Sequence, residues 1–153
     1  VIEKDKTTVP VAAIKEGTVI DHISPGKALL LLNLLNCMTP ERQITVGMNL
    51  VSRSKGLKDI IKIEHYELNE KECQKLAIIA PDASINLIHD YKVFKKFKVE
   101  IPQELSGIFS CPNRSCITNA ERIPSLFTIT RFRQKLQLHC RYCSKQFCDE
   151  EIK

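Results

Sequence analysis

Five of the seven cysteines in this chain of 153 residues fall after position 110, in two groups. The first group is Cys111 and Cys116, and the second is Cys140, Cys143 and Cys148. A short spacer lets one turn present two sulfurs to the same ion, and a tetrahedral Zn²⁺ binds four thiolates at about 2.3 Å. No secretory leader is visible, so we interpret the paired cysteines as metal ligands in a reducing cytoplasm rather than as disulfides.

Two cysteine pairs, Cys111 with Cys116 and Cys140 with Cys143, supply the four ligands of the predicted zinc site. His139 is disfavoured because neighbours on a strand point to opposite faces. Four thiolates leave no position for water or substrate, which predicts one structural zinc ion per chain. The alternative is a set of reduced core cysteines without metal.

The fifth cysteine, Cys148, stays open as a ligand. The segment CSKQFC could fold back so that Cys148 reaches the metal. Alternatively, Phe147 is the core residue of a closing strand, and Cys148 then faces outward because side chains alternate along a strand.

No catalytic set accompanies the cysteines. The sequence lacks the phosphate-binding, dinucleotide-binding, serine-nucleophile and zinc-protease motifs. Asp21 and His22 do not make such a set by themselves, and Cys37 and Cys73 have no paired partner nearby. We therefore predict a binding or regulatory protein rather than an enzyme.

The net charge of +5 is concentrated around the cysteines. Residues 107–153 hold 8 Lys and Arg against 4 Asp and Glu, whereas residues 1–106 hold 15 against 14. A basic zinc module is a candidate for nucleic-acid binding, and a solvated basic face is the plainer interpretation. The cations that favour a zinc-ribbon nucleic-acid-binding protein are Arg131, Arg133, Lys135 and Arg141.

Hydrophobic periodicity predicts the elements that position these residues. The longest apolar run, 28–32, is too short to span a membrane. The order strand, helix, strand, strand, helix, strand predicts an α+β fold, a ferredoxin-like antiparallel sheet with two helices, followed by a small all-β zinc-binding domain. The predicted segments are extended residues 10–23 broken at Gly17, a helix at 24–36 with Leu29, Leu32 and Leu35 on one face, strands at 44–51 and 57–68, a helix at 70–80 capped by Asn69, one or two strands at 84–99 and a hairpin at 124–139.

Six stretches that are spread along the chain resemble one protein family. VAAIKEGTVIDHI, ITVGMNL, KDIIKIE, INLIHDYKV, CPNRSCI and LHCRYCSKQF are similar, in order and approximate spacing, to the regulatory chains of aspartate carbamoyltransferase. This resemblance implies a non-catalytic subunit in pyrimidine biosynthesis. It implies an allosteric domain at 1–100 that binds CTP, UTP and ATP and forms a homodimer, a linker at 101–106, and a zinc domain at 107–153 that grips the catalytic chain. It implies no nucleic-acid partner.

The resemblance also implies which residues bind the nucleotide. Lys58, Ile60 and Lys62 alternate along a predicted strand and so share a face, which without the resemblance is usually a solvated one. With it, Lys62 is the leading ligand for the ribose or base, Asp21 lies near the ribose, and His22 and Lys96 lie near the phosphates. Lys95 remains an alternative to Lys96. Residues implied to line the base pocket are Val11, Ala13, Ile14, Val19, Asn86, Ile88, Tyr91 and Val93, with the backbone of residues 12–14 able to contact the base edge.

Overall fold

The computed structural model describes residues 12–53 and 56–152, which form two antiparallel sheets. In the first sheet the strand order is β2-β3-β1-β4-β5, and helices α1 and α2 pack on one face. This is the ferredoxin-like α+β arrangement predicted from the sequence, with β5 added at an edge. The elements are β1 Gly17–Ile23, α1 Ala28–Leu34, β2 Ile44–Ser52, β3 Gly56–Glu64, α2 Glu70–Ile79, β4 Ser84–His89 and β5 Lys92–Lys98.

Strand alternation separates a helix-covered face from an opposite face. Ile20 of β1 is paired with Ile61 of β3 and Ile85 of β4, and all three are fully buried in the core. Side chains on adjacent residues point the other way, so Val19 and Lys62 lie on the opposite face. The same strands therefore carry an apolar face towards the helices and, on the other side, a face that includes a lysine.

Helix α1 is shorter than predicted and is rotated about its axis. It begins at Ala28, after a turn in which the Lys27 N–H donates to the Ser24 carbonyl at 3.1 Å. Leu35 is buried as predicted, but Leu29 is 54% exposed, so the predicted face was wrong. Asn33 lies one helical turn after Leu29 and is also exposed, so this one polar residue marked the solvent side that the leucine run itself leaves undefined.

Helix α2 begins as predicted, at a capping box. The Asn69 side chain accepts from the Glu72 N–H at 2.9 Å, and the Glu72 carboxylate accepts from the Asn69 N–H at 3.0 Å. These reciprocal bonds satisfy two backbone donors at the helix start. The other Glu72 oxygen accepts from the Tyr66 hydroxyl, which fixes the chain leading into the helix.

The second sheet carries the cysteines, in the order β6-β7-β8-β9. The predicted hairpin at 124–139 corresponds to β7 and β8. Residues 104–106, assigned to the linker from the sequence, instead form β6, where Leu105 is buried opposite Phe127. A three-residue strand carries too little alternation to be recognised. The elements are β6 Glu104–Ser106, α3 Ile117–Ala120, β7 Leu126–Phe132, β8 Lys135–Cys140, β9 Gln146–Cys148 and a 3₁₀ turn at Asp149–Glu151.

Across the part of the chain that the structure describes, no helix is long and apolar enough to cross a membrane.

Candidate functional site

The sulfurs of Cys111, Cys116, Cys140 and Cys143 lie within 4.8 Å of one another. The Sγ atoms of Cys111 and Cys143 are 3.7 Å apart, and those of Cys116 and Cys140 are 3.9 Å apart. Tetrahedral ligands at about 2.3 Å from Zn²⁺ stand about 3.8 Å from each other. The donor set therefore fits a four-thiolate zinc site in both chemistry and spacing.

Two backbone turns hold the cysteine pairs in place. In the first, the Cys116 N–H donates to the Asn113 carbonyl at 2.9 Å, and in the second, the Ser144 N–H donates to the Cys140 carbonyl at 2.9 Å. The Asn119 side chain donates to the carbonyls of both Cys111 and Asn113 at 2.8 Å. These bonds orient the ligands from outside the sulfur cluster, as supporting contacts do in metal sites.

The pKa values of the four thiols are shifted in different directions. Burial acts to raise the pKa of Cys143, but hydrogen bonds from Asn113, Lys145 and the neighbouring thiols lower it to about 7. Burial and the sulfurs around it raise the pKa of Cys111 to about 12, against a backbone hydrogen bond from Asn113. Four adjacent thiolates repel one another, so full ionisation of the cluster requires a cation.

Cys148 lies outside the sulfur cluster. In the β8–β9 register Phe147 opposes Leu138, and both are buried, while Cys148 opposes Gln137 on the other face. Cys148 instead precedes the 3₁₀ turn, where its N–H donates to the Glu151 carboxylate at 2.8 Å. His139 also faces away, with Nε2 3.1 Å from the Ser144 carbonyl oxygen.

A second candidate site is the sheet face opposite α1 and α2, which we name the ligand face. Its centre is a row of four side chains on neighbouring strands, set by the pairings of Val19 with Lys62 and Asn86 and of Asn86 with Lys96. Lys62, Val19 and Asn86 are 8%, 9% and 9% exposed. A lysine and an amide that are both buried, on either side of Val19, are unusual for a solvated face.

The segment 12–14 lies against this row. Lys62 Nζ donates to the Ala12 carbonyl at 2.6 Å, and Ile14 is buried while Ala13 is exposed. Burial lowers the pKa of the Lys62 ammonium, and the charge of Asp21 opposes that change. The ligand face thus holds a partly dehydrated cation beside the Ala12 carbonyl. Val11, which the resemblance also places here, lies outside the described residues.

One end of the ligand face is charged. Lys58 Nζ lies 2.8 Å from the Asp21 carboxylate, and His22 Nδ1 lies 3.2 Å from Ser84 Oγ. Burial acts to raise the pKa of Asp21, but Lys58, the backbone N–H of His22 and the His22 side chain together lower it. His22 has a positive φ of 58° and lies at the irregularity in the β1–β3 register between Ile20 and Ile23.

The other end is apolar. Ile88 of β4 pairs with Val93 of β5, and the β4–β5 turn places Tyr91 beside them, 63% exposed. The Tyr91 N–H donates to the Lys15 carbonyl at 3.0 Å, which ties this turn to the segment before β1. Ile60 lies half-buried on β3 between Lys58 and Lys62, so every described residue implied for the nucleotide site lies on or beside this one face.

The register separates the two adjacent lysines of β5. Lys96 opposes Asn86 on the ligand face, whereas Lys95 opposes Leu87, part of the helix-side core. Lys98 opposes Ser84 and shares the ligand face with Lys96. The sequence reasoning missed both Ser84 and Lys98. Alternation in KKFK would have indicated Lys98, but nothing marked Ser84.

Comparison with known proteins covers nearly the whole chain. Residues 9–100 match the model of the "Aspartate carbamoyltransferase regulatory chain, allosteric domain", and residues 103–153 match the corresponding "metal binding domain". A curated aspartate carbamoyltransferase regulatory chain from Pyrococcus abyssi is 44% identical over 144 residues, covering 93% of this chain and 94% of the relative. One of the same description from Chromobacterium violaceum is 42% identical over 140 residues, covering 92% of each.

Proposed function

The chain belongs to the family of aspartate carbamoyltransferase regulatory chains, and on that premise we propose that nucleoside triphosphates bind its ligand face and control the partner catalytic chains. It is a non-catalytic regulatory subunit with an allosteric domain and a metal-binding domain, acting in pyrimidine biosynthesis. CTP, UTP and ATP are the proposed effectors, and the cytoplasm is the proposed location.

The buried row on the ligand face carries this proposal. A nucleotide needs hydrogen-bond partners for its base, a cation for its phosphates and a face that excludes water. Lys62 and Asn86 provide hydrogen-bonding groups, Val19 an apolar surface and Lys96 a cation, on four adjacent strands, with the Ala12 carbonyl beside Lys62. No catalytic residue is required for this role.

The two ends of the face suggest the orientation of the nucleotide. We place the base near the apolar end, at Ile14, Ile88, Tyr91 and Val93, and the ribose near Lys62. The phosphates then lie towards Lys96 and His22, and Lys98 adds a cation that shares their face. Ser84 supports this end by contacting His22.

We assign the metal centre to a structural Zn²⁺ held by Cys111, Cys116, Cys140 and Cys143. The sulfur spacing supports this assignment, because all four ligand positions are filled by protein. The bound metal would fix helix α3 and the turn after Cys140, which carry Ile117 and Tyr142, each 47% exposed beside the cluster. We propose that this surface binds the catalytic chain.

We propose that the allosteric domain forms a homodimer. Its strand β2 pairs only with β3, so the outer edge of β2 is open among the described strands. Met48, Val51 and Leu57 on this β2–β3 arm are 38%, 85% and 48% exposed. An open edge with exposed apolar side chains is a suitable surface for a second copy.

Calorimetric titration of the zinc-loaded chain with CTP, UTP and ATP tests nucleotide binding. Lys62→Ala and Lys96→Ala should each weaken binding at least about tenfold, since a charge-assisted hydrogen bond contributes about 1.5–3 kcal/mol. Lys95→Ala is the matched control, because it removes the neighbouring charge from the opposite face and should change affinity less than about twofold.

Equal weakening by the Lys95 and Lys96 substitutions would show that general positive charge, not this face, binds the nucleotide. Titration with single-stranded and duplex nucleic acid addresses the zinc-ribbon alternative, which has the basic β7–β8 hairpin in its favour. Binding there that falls steeply with salt, without nucleoside triphosphate binding, would replace the regulatory proposal.

A further inference from the structure

An ion pair connects the two sheets. Lys27 Nζ, in the turn before α1, contacts the carboxylate of Asp149, which lies beyond β9 and 122 residues along the chain. The two side chains are 29% and 16% exposed, so the pair is partly shielded from solvent. We propose that this pair couples the charged end of the ligand face to the metal domain, an inference that rests on the proposed regulatory function.

The Lys27 end is held by a buried carboxylate from β3. Asp59 is fully buried, and its Oδ2 atom accepts the N–H groups of Gly26 at 2.9 Å and Ala28 at 3.2 Å. These residues flank Lys27 on both sides. The other oxygen of Asp59 accepts the Asn49 N–H at 2.9 Å. The position of Lys27 is therefore fixed to β3 by hydrogen bonds to a charged group, which are stronger than neutral ones.

The residue before Asp59 belongs to the ligand face. Lys58 pairs with the Asp21 carboxylate at 2.8 and 3.0 Å from its two oxygens. Lys58 and Asp59 point to opposite faces of the same strand. An anion that draws Lys58 away from Asp21 would therefore act on β3 next to Asp59, the residue that holds the Lys27 turn.

The Asp149 end is fixed to the metal domain. The Cys148 N–H donates to the Glu151 carboxylate at 2.8 Å, and Ile152 is buried after the turn. Cys148 opposes Gln137 on β8, and that strand ends at the metal ligand Cys140. Asp149 therefore moves with β8 and β9 rather than as a loose tail.

The experiment uses the complex reconstituted from this chain and its catalytic chain. The variants are Lys27→Gln, Asp149→Asn and the exchange Lys27→Asp with Asp149→Lys. We expect each single substitution to reduce the nucleotide-dependent change in activity about fivefold. A loss of this size is equal to the weakest coupling that is typical between two sites. The exchange should restore most of the nucleotide-dependent change, and basal activity without nucleotide should stay at the unsubstituted level.

Glu104→Gln is the matched control. Its carboxylate pairs with Arg141 at 3.3 Å within the metal domain, with side chains 57% and 53% exposed, and it does not bridge the sheets. The control should keep the full response. Zinc content and calorimetric nucleotide affinity of each isolated chain should match those of the unsubstituted chain.

Three outcomes would overturn the inference: an undiminished response in both single variants, an equal loss in the Glu104→Gln control, or no recovery in the exchange. If one single variant fails to assemble, the other and the exchange decide the question. Failure of the unsubstituted chain to bind nucleotide would instead reject the proposed function, so the two failures are distinguishable.

Discussion

At the scale of single residues, the spacing of cysteines in the sequence indicates possible metal ligands, and the strand register indicates which of them reach the site. Cys143 and Cys148 have the same four-residue spacer as Cys111 and Cys116, so spacing alone could not remove Cys148 from the ligand set. The β8–β9 register removes it, because Phe147 points into the core. The same kind of evidence separates Lys95 from Lys96. The residue type indicates the possible chemistry. The position in the strand register indicates which cysteine or lysine points towards the site where that chemistry is needed.

Substitution of Cys143 and of Cys148 should have opposite consequences for metal retention. Cys143→Ser removes one of four ligands, so zinc should fall from about one ion per chain to near zero under chelator competition. Cys148→Ser should keep the ion, because the β8–β9 register places Cys148 on the face away from the sulfur cluster. Metal analysis of the purified variants provides the measurement, and zinc loss in Cys148→Ser would place that sulfur in the coordination sphere.

At the scale of elements, the sequence predicts the strands and helices that have a clear hydrophobic periodicity or a helix-capping residue. The strands β2 to β4 and the capping box of α2 follow from alternation and from Asn69. The strand β6 does not, because a three-residue segment contains little positional information. The face of α1 was assigned wrongly although Asn33 marked its solvent side. The contacts of Asp59 were also beyond prediction, since their donors come from a turn and another strand, 10 to 33 residues away.

Asp59 should be a large contributor to the stability of the first sheet. Asp59→Asn replaces one acceptor oxygen with a donor group and leaves buried N–H groups unpaired, which costs about 1–3 kcal/mol for each group left unsatisfied. The urea midpoint of the zinc-loaded chain should fall accordingly. Asp90→Asn, at an exposed carboxyl with a φ of 49°, is the matched control and should leave the midpoint nearly unchanged because Asn tolerates this conformation. Similar midpoints for the two variants would contradict the role of Asp59.

At the scale of the whole molecule, the two sheets have unequal means of stabilisation. The first buries helices α1 and α2 on one sheet face, whereas the second has a thin core around Phe127, Leu138 and Phe147. Zinc binding to four-ligand sites contributes about 10–16 kcal/mol in apparent free energy, comparable with the total stability of a domain. We therefore expect the fold of the second sheet to depend on a bound metal more strongly than that of the first.

Zinc removal should separate the two proposed activities. After mercurial treatment and chelation, the region from β6 to the 3₁₀ turn should unfold and complex formation with the catalytic chain should be lost. Nucleotide affinity of the isolated chain should persist, since the ligand face lies on the first sheet. Size-exclusion chromatography with the catalytic chain, limited proteolysis and calorimetry on the same samples make these measurements.

Restoration of Zn²⁺ is the control for this treatment. It should recover both protease resistance and assembly, because metal binding and folding are linked in such domains. Complete zinc loss with unchanged assembly would contradict a metal-stabilised partner surface. Loss of nucleotide binding together with zinc would show that the domains fold as one cooperative unit. Such cooperative folding would be transmitted through the buried cluster that the two domains share, in which Ile152 of the metal domain lies with Leu76 of α2.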